Sequence, residues 1–162
     1  MPASDKNLFD PFAVLGIQTT TVRHSPMFTV EDKEKLLVDV SGGYCKTLFL
    51  KNRNGNHWLV VMLGNIRLDM KMLQKKLDSS RLSFAKLDLM REVLGVEPGA
   101  VTPFALLNES ARNIKVVLDK KMMREKLLNY HPLRNDATTT VTASDLLKVI
   151  YAMEHKPIIL DT

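Results

Sequence analysis

The apolar and polar positions of this chain alternate most clearly in residues 45–51. Successive side chains of an extended strand point to opposite faces, so Lys46 shares one face with Leu48 and Leu50. The asparagine- and glycine-rich connection that follows is predicted to be a hairpin turn, and residues 58–63 are predicted to return as a second strand. The pattern therefore predicts an antiparallel pair at the centre of a sheet.

Two patterns predict the rest of the fold: clusters of β-branched residues and apolar residues at helical spacing. Clusters of β-branched residues predict strands over residues 17–22, 114–118, 137–142 and 157–160, and a proline-interrupted strand within residues 96–104. Apolar residues at three- and four-residue spacing predict helices over residues 29–37, 68–77, 83–94, 119–128 and 142–153, after a helix end at residues 10–16. The alternation predicts an α+β (mixed α/β) fold. We expect a single compact domain over residues 1–162, with a central mixed, partly barrel-like sheet flanked by helices.

Side chains that accept hydrogen bonds from backbone N–H groups mark where several of these helices begin. Ser83 and Asp119 stand at predicted N-caps, Thr29 with Asp32 three residues later makes a pattern like a capping box, and Thr142 with Asp145 caps the last predicted helix. Gly95 is predicted to end the helix that Ser83 begins.

Lys46 is the unusual residue of the central strand, because it lies on the same row as two leucines. An unpaired ammonium group is costly to bury, so a lysine on this row either reaches out to water or stands in a polar pocket. The simpler interpretation is a lysine that bends back to solvent. The spacing alone leaves both interpretations open.

Composition narrows the class of protein without assigning a function. The 162 residues are 45% hydrophobic and 25% charged, which is enough to bury a core and argues against a disordered chain. The 23 basic and 18 acidic residues give a net charge of +5, a modest excess that suits a polyanionic partner. The single cysteine rules out an intramolecular disulfide framework. With no apolar signal core and no apolar run of membrane length, we expect a soluble cytosolic protein.

The four histidines are scattered and show no metal-ligand spacing. His24 and His131 each lie in a proline-containing loop at the edge of a predicted strand, where functional residues often collect. Either ring could instead bond a neighbouring backbone group, and the spacing does not decide between the two. His57, beside the hairpin turn, and His155, after the last helix, are expected to be solvated.

The sequence contains no phosphate-binding glycine loop, no nucleophile elbow and no Cys/His metal cluster. Cys45 and Lys46 fall on opposite faces of their strand, which argues against an activated thiolate. Two basic clusters on predicted helices fit either a solvated face or an RNA contact. They are Arg67 with Lys71, Lys75 and Lys76, and Lys120 with Lys121 and Arg124.

Four segments, in their order along the chain, resemble a known family. They are His-x-Pro-x-Phe-Thr at residues 24–29, Gly-Gly-x-x-Lys-x-Leu-Phe-Leu-Lys at 42–51, Leu-Gly-Val-x-Pro-Gly-x-Val-Thr-Pro-Phe at 94–104 and His-Pro-Leu-x-Asn at 131–135. Together they resemble the aminoacyl-tRNA editing domain associated with prolyl-tRNA synthetase in its freestanding form. The resemblance is in particular to the deacylases that clear alanine from the proline tRNA, and it covers nearly the whole chain.

The resemblance implies a cofactor-free trans-editing hydrolase that acts on a mischarged aminoacyl-tRNA. It implies that Lys46 is the functionally required lysine and that His131 shapes the aminoacyl pocket. The other residues expected to bind the substrate are His24, Phe28, Gly99, Val101, Thr102, Pro103, Phe104 and Tyr130. The implied partner is the acceptor end of the proline tRNA, and prolyl-tRNA synthetase is a further partner that stays open.

The implied chemistry needs little from the protein, because an aminoacyl ester is already activated. Lys46 would either hold the terminal phosphate or stabilise the developing oxyanion, and the sequence does not separate these roles. A ribose hydroxyl would orient the attacking water. A pocket walled by residues 102–104 and His131 would admit alanine and exclude the larger proline.

The chain departs from the family pattern at two places. Thr47 follows the lysine where asparagine is common, and Asn129 and Tyr130 precede His131 where glycine is common. These departures keep open a deacylase for seryl- or cysteinyl-tRNA. A noncatalytic module that binds tRNA or the synthetase is the alternative from another class, and such a module would be expected to lose Lys46, which is present.

Overall fold

The computed structural model describes residues 11–26, 42–97 and 99–162, and within these ranges eight strands form one sheet. The strands are β1 (Thr20–Arg23), β2 (Gly43–Lys51), β3 (His57–Leu63), β4 (Ser83–Phe84), β5 (Lys115–Asp119), β6 (Leu127–Tyr130), β7 (Ala137–Thr142) and β8 (Ile158–Leu160). Their order is β1-β7-β6-β2-β3-β5-β8, and β4 pairs with β2. The pairs β2–β6, β3–β5 and β5–β8 are parallel and the others antiparallel. The predicted α+β fold with a central mixed sheet is confirmed.

The predicted central hairpin joins β2 to β3, which pair in register along their shared length. At the turn, the side-chain oxygen of Asn52 accepts hydrogen bonds from the backbone N–H groups of Asn54 and Asn56, each at 3.0 Å. Gly55 has a φ of 81°, a conformation that glycine adopts without steric cost. The asparagine and glycine residues that predicted a hairpin therefore form its turn.

Alternation along β2 and β3 divides the core into two layers, one on each face of the sheet. Cys45 faces the larger layer, which the C-terminal helix and the segment before β5 cover. Leu50 faces the smaller layer, which the helix Met70–Lys76 covers with its buried Leu73. This is the alternation that the sequence predicted, and it puts Lys46 on the side of the smaller layer.

Helices lie on both faces of the sheet. They are residues 11–14, Met70–Lys76, Leu87–Leu89 with a π-helical turn over Met90–Leu94, and Ala143–Ala152, with 3-10 turns at Pro103–Leu107, Glu109–Ala111 and Met122–Arg124. The hydroxyl of Thr142 accepts a hydrogen bond from the N–H of Asp145 at 3.1 Å, which confirms that predicted N-cap. Gly95 has a φ of 67° and ends the π-helical turn, as expected.

One predicted helix start is a strand instead. Ser83–Phe84 forms β4 and pairs with Leu50 and Lys51, and the helix begins only at Leu87. β6 pairs with β2 only near the start of β2, so the edge of β2 is open farther along. The backbone groups at this open edge take a partner from the passing chain, and this pairing overrides the N-cap signal of Ser83.

The proline-interrupted segment is a 3-10 turn where a strand was predicted. Pro103 takes the first helical position, where its missing N–H costs nothing. The hydroxyl of Thr102 accepts a hydrogen bond from the N–H of Phe104 at 3.4 Å. Both residues therefore act as helix-start signals, which the strand prediction did not take into account.

The predicted helix over residues 119–128 is also wrong beyond its first turn. Asp119 does cap a turn, because its carboxylate accepts a hydrogen bond from the N–H of Met122 at 3.1 Å. The turn ends at Arg124, and the chain continues as β6 between β2 and β7. Leu128 is fully buried in that strand, so pairing and burial prevail over the helical spacing.

The first and last strands differ less from expectation. β1 begins at Thr20 instead of Ile17, and the closing strand is confirmed as β8. The predicted helix over residues 29–37 lies outside the described residues, and so do Phe28 and Pro98.

Candidate functional site

Lys46 is the fourth residue of β2 and lies opposite Met62 of β3. It shares its row with Leu48 and Leu50, and its side chain is half-buried. This burial strips water from the ammonium group and lowers the pKa of Lys46 below its ordinary value. The lysine is therefore neither fully solvated nor fully enclosed, and it lies on the side of the smaller core layer.

The parallel pair of β2 and β6 brings a second part of the chain beside Lys46. Tyr44 of β2 is paired with Asn129 of β6. Both strands run in the same direction from that pair, and side chains alternate along each of them. Lys46 and His131, each two residues farther on, therefore lie on the same face, just beyond the last paired residues of the two strands.

His131 is buried, with 6% of its surface exposed, and its ring is oriented by the backbone. Its Nδ1 lies 3.0 Å from the carbonyl oxygen of Ala137. A carbonyl oxygen only accepts, so Nδ1 is the nitrogen that donates and carries a proton. The sequence left open that this ring bonds a neighbouring backbone group, and that hydrogen bond is present. It orients the ring of His131 on the face of the sheet that carries Lys46.

His24 lies beside His131, and their ring centroids are 6.4 Å apart. Its Nδ1 is 2.7 Å from the carbonyl oxygen of Ser25, and its Nε2 is 2.8 Å from the hydroxyl of Thr138. The structure thus brings the two loop histidines together at the edge of β7, although they are far apart in the sequence.

Polar side chains continue this face of the sheet across β6 and β7. The hydroxyl of Thr140 donates to the side-chain oxygen of Asn129 at 2.6 Å, and the side-chain nitrogen of Asn129 donates to the carbonyl oxygen of Gly43 at 3.2 Å. Sequence reasoning missed Asn129, Thr138 and Thr140 as parts of this face. The signal was the alternation of the threonine-rich strand, which places every second threonine beside the histidines.

The segment from Gly99 to Phe104 lies mainly in the larger core layer, on the opposite side from the row of Lys46. Thr102 and Phe104 are fully buried, Pro103 is buried, and Gly99 and Val101 are half-buried. The ring of Phe104 meets the ring of Tyr130 edge to face at 5.7 Å. The role of this segment as a pocket wall stays a prediction.

Tyr130 points into the larger layer with Cys45. Its phenol donates a hydrogen bond to the sulfur of Met122 at 3.2 Å. Burial and the neighbouring Cys45 raise the pKa of Tyr130 well above its ordinary value, so the phenol stays neutral at physiological pH. Since Cys45 lies in that layer and Lys46 on the other row, the expected separation of thiol and amine is confirmed.

The expectation of a solvated His155 is wrong. This ring is buried, with its Nδ1 2.8 Å from the carbonyl oxygen of Met153 and its Nε2 2.9 Å from that of Ala111. The chain turns back after the last helix and packs the ring against the turn Glu109–Ala111. His57 is half-buried beside the ring of Phe49, and burial followed by the charge of Lys51 lowers the pKa of His57.

Two cavities in the described residues lie away from Lys46 and His131. One of about 400 Å³ is lined by residues of the first helix, the turn Pro103–Leu107 and the C-terminal helix. The other, of about 1060 Å³, lies between residues 12–21 and the end of β7. Within the same ranges, no three His, Cys, Asp or Glu residues are grouped as metal ligands, and no helix has the length and apolarity to cross a membrane.

The chain is similar to known proteins in both sequence and fold. Residues 24–149 match the family described as the aminoacyl-tRNA editing domain. The prolyl-tRNA editing protein ProX of Acetoanaerobium sticklandii is 36% identical over 139 residues, which cover 85% of each chain. The prolyl-tRNA synthetase associated domain-containing protein 1 of Danio rerio is 34% identical over 148 residues, 90% of this chain and 80% of that protein.

A solved structure, described as that of a candidate trans-editing enzyme for prolyl-tRNA synthetase, has the same fold. It superposes with a TM-score of 0.73 at 17% identity, covering 100% of this chain and 99% of that chain. The structural likeness establishes the fold, and the sequence matches establish the family. The chain belongs to the aminoacyl-tRNA editing domain family and is an aminoacyl-tRNA deacylase.

Proposed function

We propose that this deacylase acts in trans on mischarged proline tRNA, with alanyl-tRNA(Pro) as its preferred substrate. The observation that carries the proposal is Lys46, a half-buried amine on the same face of the sheet as His131. Membership in the aminoacyl-tRNA editing family supports the ester of an aminoacyl-tRNA as the bond that is cleaved. The names of two relatives, which contain prolyl-tRNA, point to the proline tRNA. The acceptor end of this tRNA is the proposed partner.

The reaction breaks the bond between the aminoacyl carbonyl carbon and a ribose oxygen, and water supplies the new oxygen. Such an ester is activated, so positioning and charge stabilisation suffice. Lys46 supplies the charge, either at the terminal phosphate or at the developing oxyanion. Its partial desolvation supports this role, because a cation attracts a negative oxygen more strongly where water is scarce.

The attacking water is proposed to be oriented by the ribose hydroxyl next to the ester. The single cysteine of the chain, Cys45, is buried on the opposite face of β2 from Lys46. This placement supports hydrolysis without a cysteine acyl intermediate. A proline tRNA that lacks the neighbouring hydroxyl should therefore be cleaved much more slowly than the natural substrate.

Selectivity for alanine is proposed to come from the size of the pocket. A synthetase site rejects an amino acid smaller by one methylene by only about 1–3 kcal/mol, whereas a second site can exclude the larger one sterically. The rigidity of the proposed wall supports such a sieve. His131 is buried on the face of the sheet that carries Lys46, and its Nδ1 is held by the carbonyl oxygen of Ala137 at 3.0 Å.

The test compares Lys46→Ala with the wild-type protein on alanyl-, prolyl-, seryl- and cysteinyl-tRNA. Loss of one oxyanion-type donor costs about 2.7–4 kcal/mol in the barrier, so turnover of alanyl-tRNA(Pro) should fall on the order of a hundredfold or more. Lys51→Ala is the matched control, since Lys51 is a half-buried lysine at the far end of the same strand. It should retain nearly full activity.

The outcomes separate the parts of the proposal. If Lys46→Ala and Lys51→Ala are equally active, the role of Lys46 is wrong. If prolyl-tRNA decays as fast as alanyl-tRNA, there is no size sieve. Faster decay of seryl- or cysteinyl-tRNA would reassign the substrate. A kcat effect without a change in KM would place Lys46 at the oxyanion, and a KM effect alone would place it at the phosphate.

A further inference from the structure

Thr138 is a buried threonine whose side chain bonds one of the two histidines of the site. It is 2% exposed, and its hydroxyl oxygen is 2.8 Å from Nε2 of His24. The carbonyl oxygen of the residue before it, Ala137, holds Nδ1 of His131 at 3.0 Å. Two successive residues at the start of β7 therefore each bind one of the two imidazoles.

The direction of these hydrogen bonds follows from their partners. The carbonyl oxygen of Ser25 only accepts, so Nδ1 of His24 donates to it at 2.7 Å. In the neutral ring Nε2 is then an acceptor, and the hydroxyl of Thr138 donates to it. The backbone N–H of His24 also donates to the carbonyl oxygen of Asp136 at 3.0 Å. The ring of His24 is therefore held through both nitrogens and through its own backbone.

The ring of His24 in turn lies beside the ring of His131, with centroids 6.4 Å apart and planes tilted by 57°. The two rings are therefore neighbours, and a change in the position of one alters the space open to the other. The carbonyl oxygen of Ala137 orients Nδ1 of His131, and the ring of His24 lies next to the same imidazole.

We propose that Thr138 is a positioning residue for selectivity, acting through His24 to hold the tilt of the His131 ring in the aminoacyl pocket. This inference rests on the proposed function, since it takes His131 as part of the wall that excludes proline. Small displacements of a positioning group have large kinetic effects. Loss of the Thr138 hydroxyl should therefore loosen the wall and weaken the discrimination between alanine and proline.

The chain contains a matched control in the next residue. Thr139 is fully buried, and its hydroxyl lies 2.8 Å from the hydroxyl of Thr21 in β1. Thr138 and Thr139 thus each make one 2.8 Å side-chain hydrogen bond to the segment around β1, from opposite faces of β7. A purely structural loss should be similar for both, whereas the hydroxyl of Thr138 bonds His24 and that of Thr139 bonds Thr21.

The experiment measures kcat/KM for alanyl- and prolyl-tRNA(Pro) and the unfolding midpoint for Thr138→Val, Thr138→Ser and Thr139→Val. We expect Thr138→Val to reduce the alanine-over-proline ratio about tenfold. Thr138→Ser, which restores the hydroxyl, should return the ratio to near the wild-type value. Thr139→Val should lower the unfolding midpoint by a similar amount and leave the ratio unchanged.

A double-mutant cycle tests whether Thr138 acts through His24. His24→Phe keeps a ring but removes the acceptor nitrogen, so its effect on the ratio and that of Thr138→Val should not add. Equal ratios for Thr138→Val and Thr139→Val, or fully additive effects with His24→Phe, would overturn the inference. Those results would leave the proposed function intact, which fails instead if the wild-type protein does not prefer the alanyl ester.

Discussion

At the scale of single residues, Lys46 combines a charge with a partly apolar setting. It lies on a row with two leucines that face the smaller core layer, and the residue is half-buried. A charged group in such a place loses favourable hydration, which shifts its protonation equilibrium toward the neutral form. The same loss of water strengthens its attraction to a negatively charged substrate.

The first prediction concerns the titration of Lys46. Its pKa is lowered in the folded protein, so between that lowered pKa and 10.5 the unfolded chain binds more protons at this site. The contribution of Lys46 to stability therefore rises with pH across this window. The pH profile of acylation of Lys46, followed by mass spectrometry, should have its midpoint at lower pH in the native protein than in the urea-unfolded chain. Coincident midpoints would contradict the prediction.

A second prediction at this scale concerns His155, whose ring joins the end of the last helix to the turn Glu109–Ala111. His155→Phe should leave the carbonyl groups of Met153 and Ala111 without their ring partner and lower the free energy of unfolding by about 1–3 kcal/mol. Urea unfolding measures the change. His57→Phe keeps a ring beside Phe49 and should cost less. Equal losses in the two variants would argue against a stabilising hydrogen bond from the ring of His155 to these carbonyl groups.

At the scale of elements, the contact between β2 and β6 decides whether the site assembles. Only Gly43 and Tyr44 of β2 pair with β6, so a short contact positions the His131 loop beside Lys46. Gly42 precedes this contact with a φ of 98°, and a Cβ there would lie 2.5 Å from the carbonyl oxygen of Leu127. Glycine is required here both by the backbone conformation and by the close approach of the two strands.

Gly42→Ala should therefore push β2 away from β6 and lower both stability and kcat/KM. Gly55→Ala is the control, because Gly55 also has a positive φ but a Cβ there meets open space. Backbone strain alone costs about 1–2 kcal/mol, so the control should lose roughly this much stability and keep its activity. Urea unfolding and deacylation of alanyl-tRNA(Pro) measure the two effects. Equal effects of both variants would show that the close approach does not matter.

At the scale of the whole molecule, the segment that covers the smaller core layer carries an excess of positive charge. Residues 65–86 contain six basic and two acidic residues, in a chain whose net charge is +5. The helix in this segment, Met70–Lys76, covers the smaller core layer, on the same side as Lys46. Lys71, Lys75 and Lys76 are exposed on it. This surface fits the phosphate backbone of a tRNA whose acceptor end reaches Lys46.

The double variant Lys71→Glu/Lys75→Glu should accordingly weaken tRNA binding and make it less dependent on salt. Each lost phosphate contact reduces the slope of log affinity against log salt by about 0.7–0.9. Lys148→Glu/Lys156→Glu is the control, since Lys148 lies on the helix that packs against the other face. Deacylation of a short aminoacyl adenosine ester should be unaffected in both. Equal loss of tRNA binding in the two variants would contradict this placement of the tRNA.

Several elements could be predicted from the sequence because their determinants are close together in the chain. The hairpin of β2 and β3 depends on alternation and on Asn52, and the last helix on the cap at Thr142. Where pairing with distant strands decided the structure, the prediction failed. Ser83 entered a strand at the open edge of β2, and Leu128 entered β6, although local spacing favoured a helix in both places.

The residues alone determined the alternation that puts Lys46 and Cys45 on opposite rows, and the motifs by which the chain resembles its family. Only the tertiary structure decided that His24 lies beside both His131 and Thr138, and that His155 and Phe104 are buried. The reason is the range of the forces involved. Side-chain direction and caps depend on neighbours a few residues away, whereas the bond from Asn129 to Gly43 joins positions 86 residues apart.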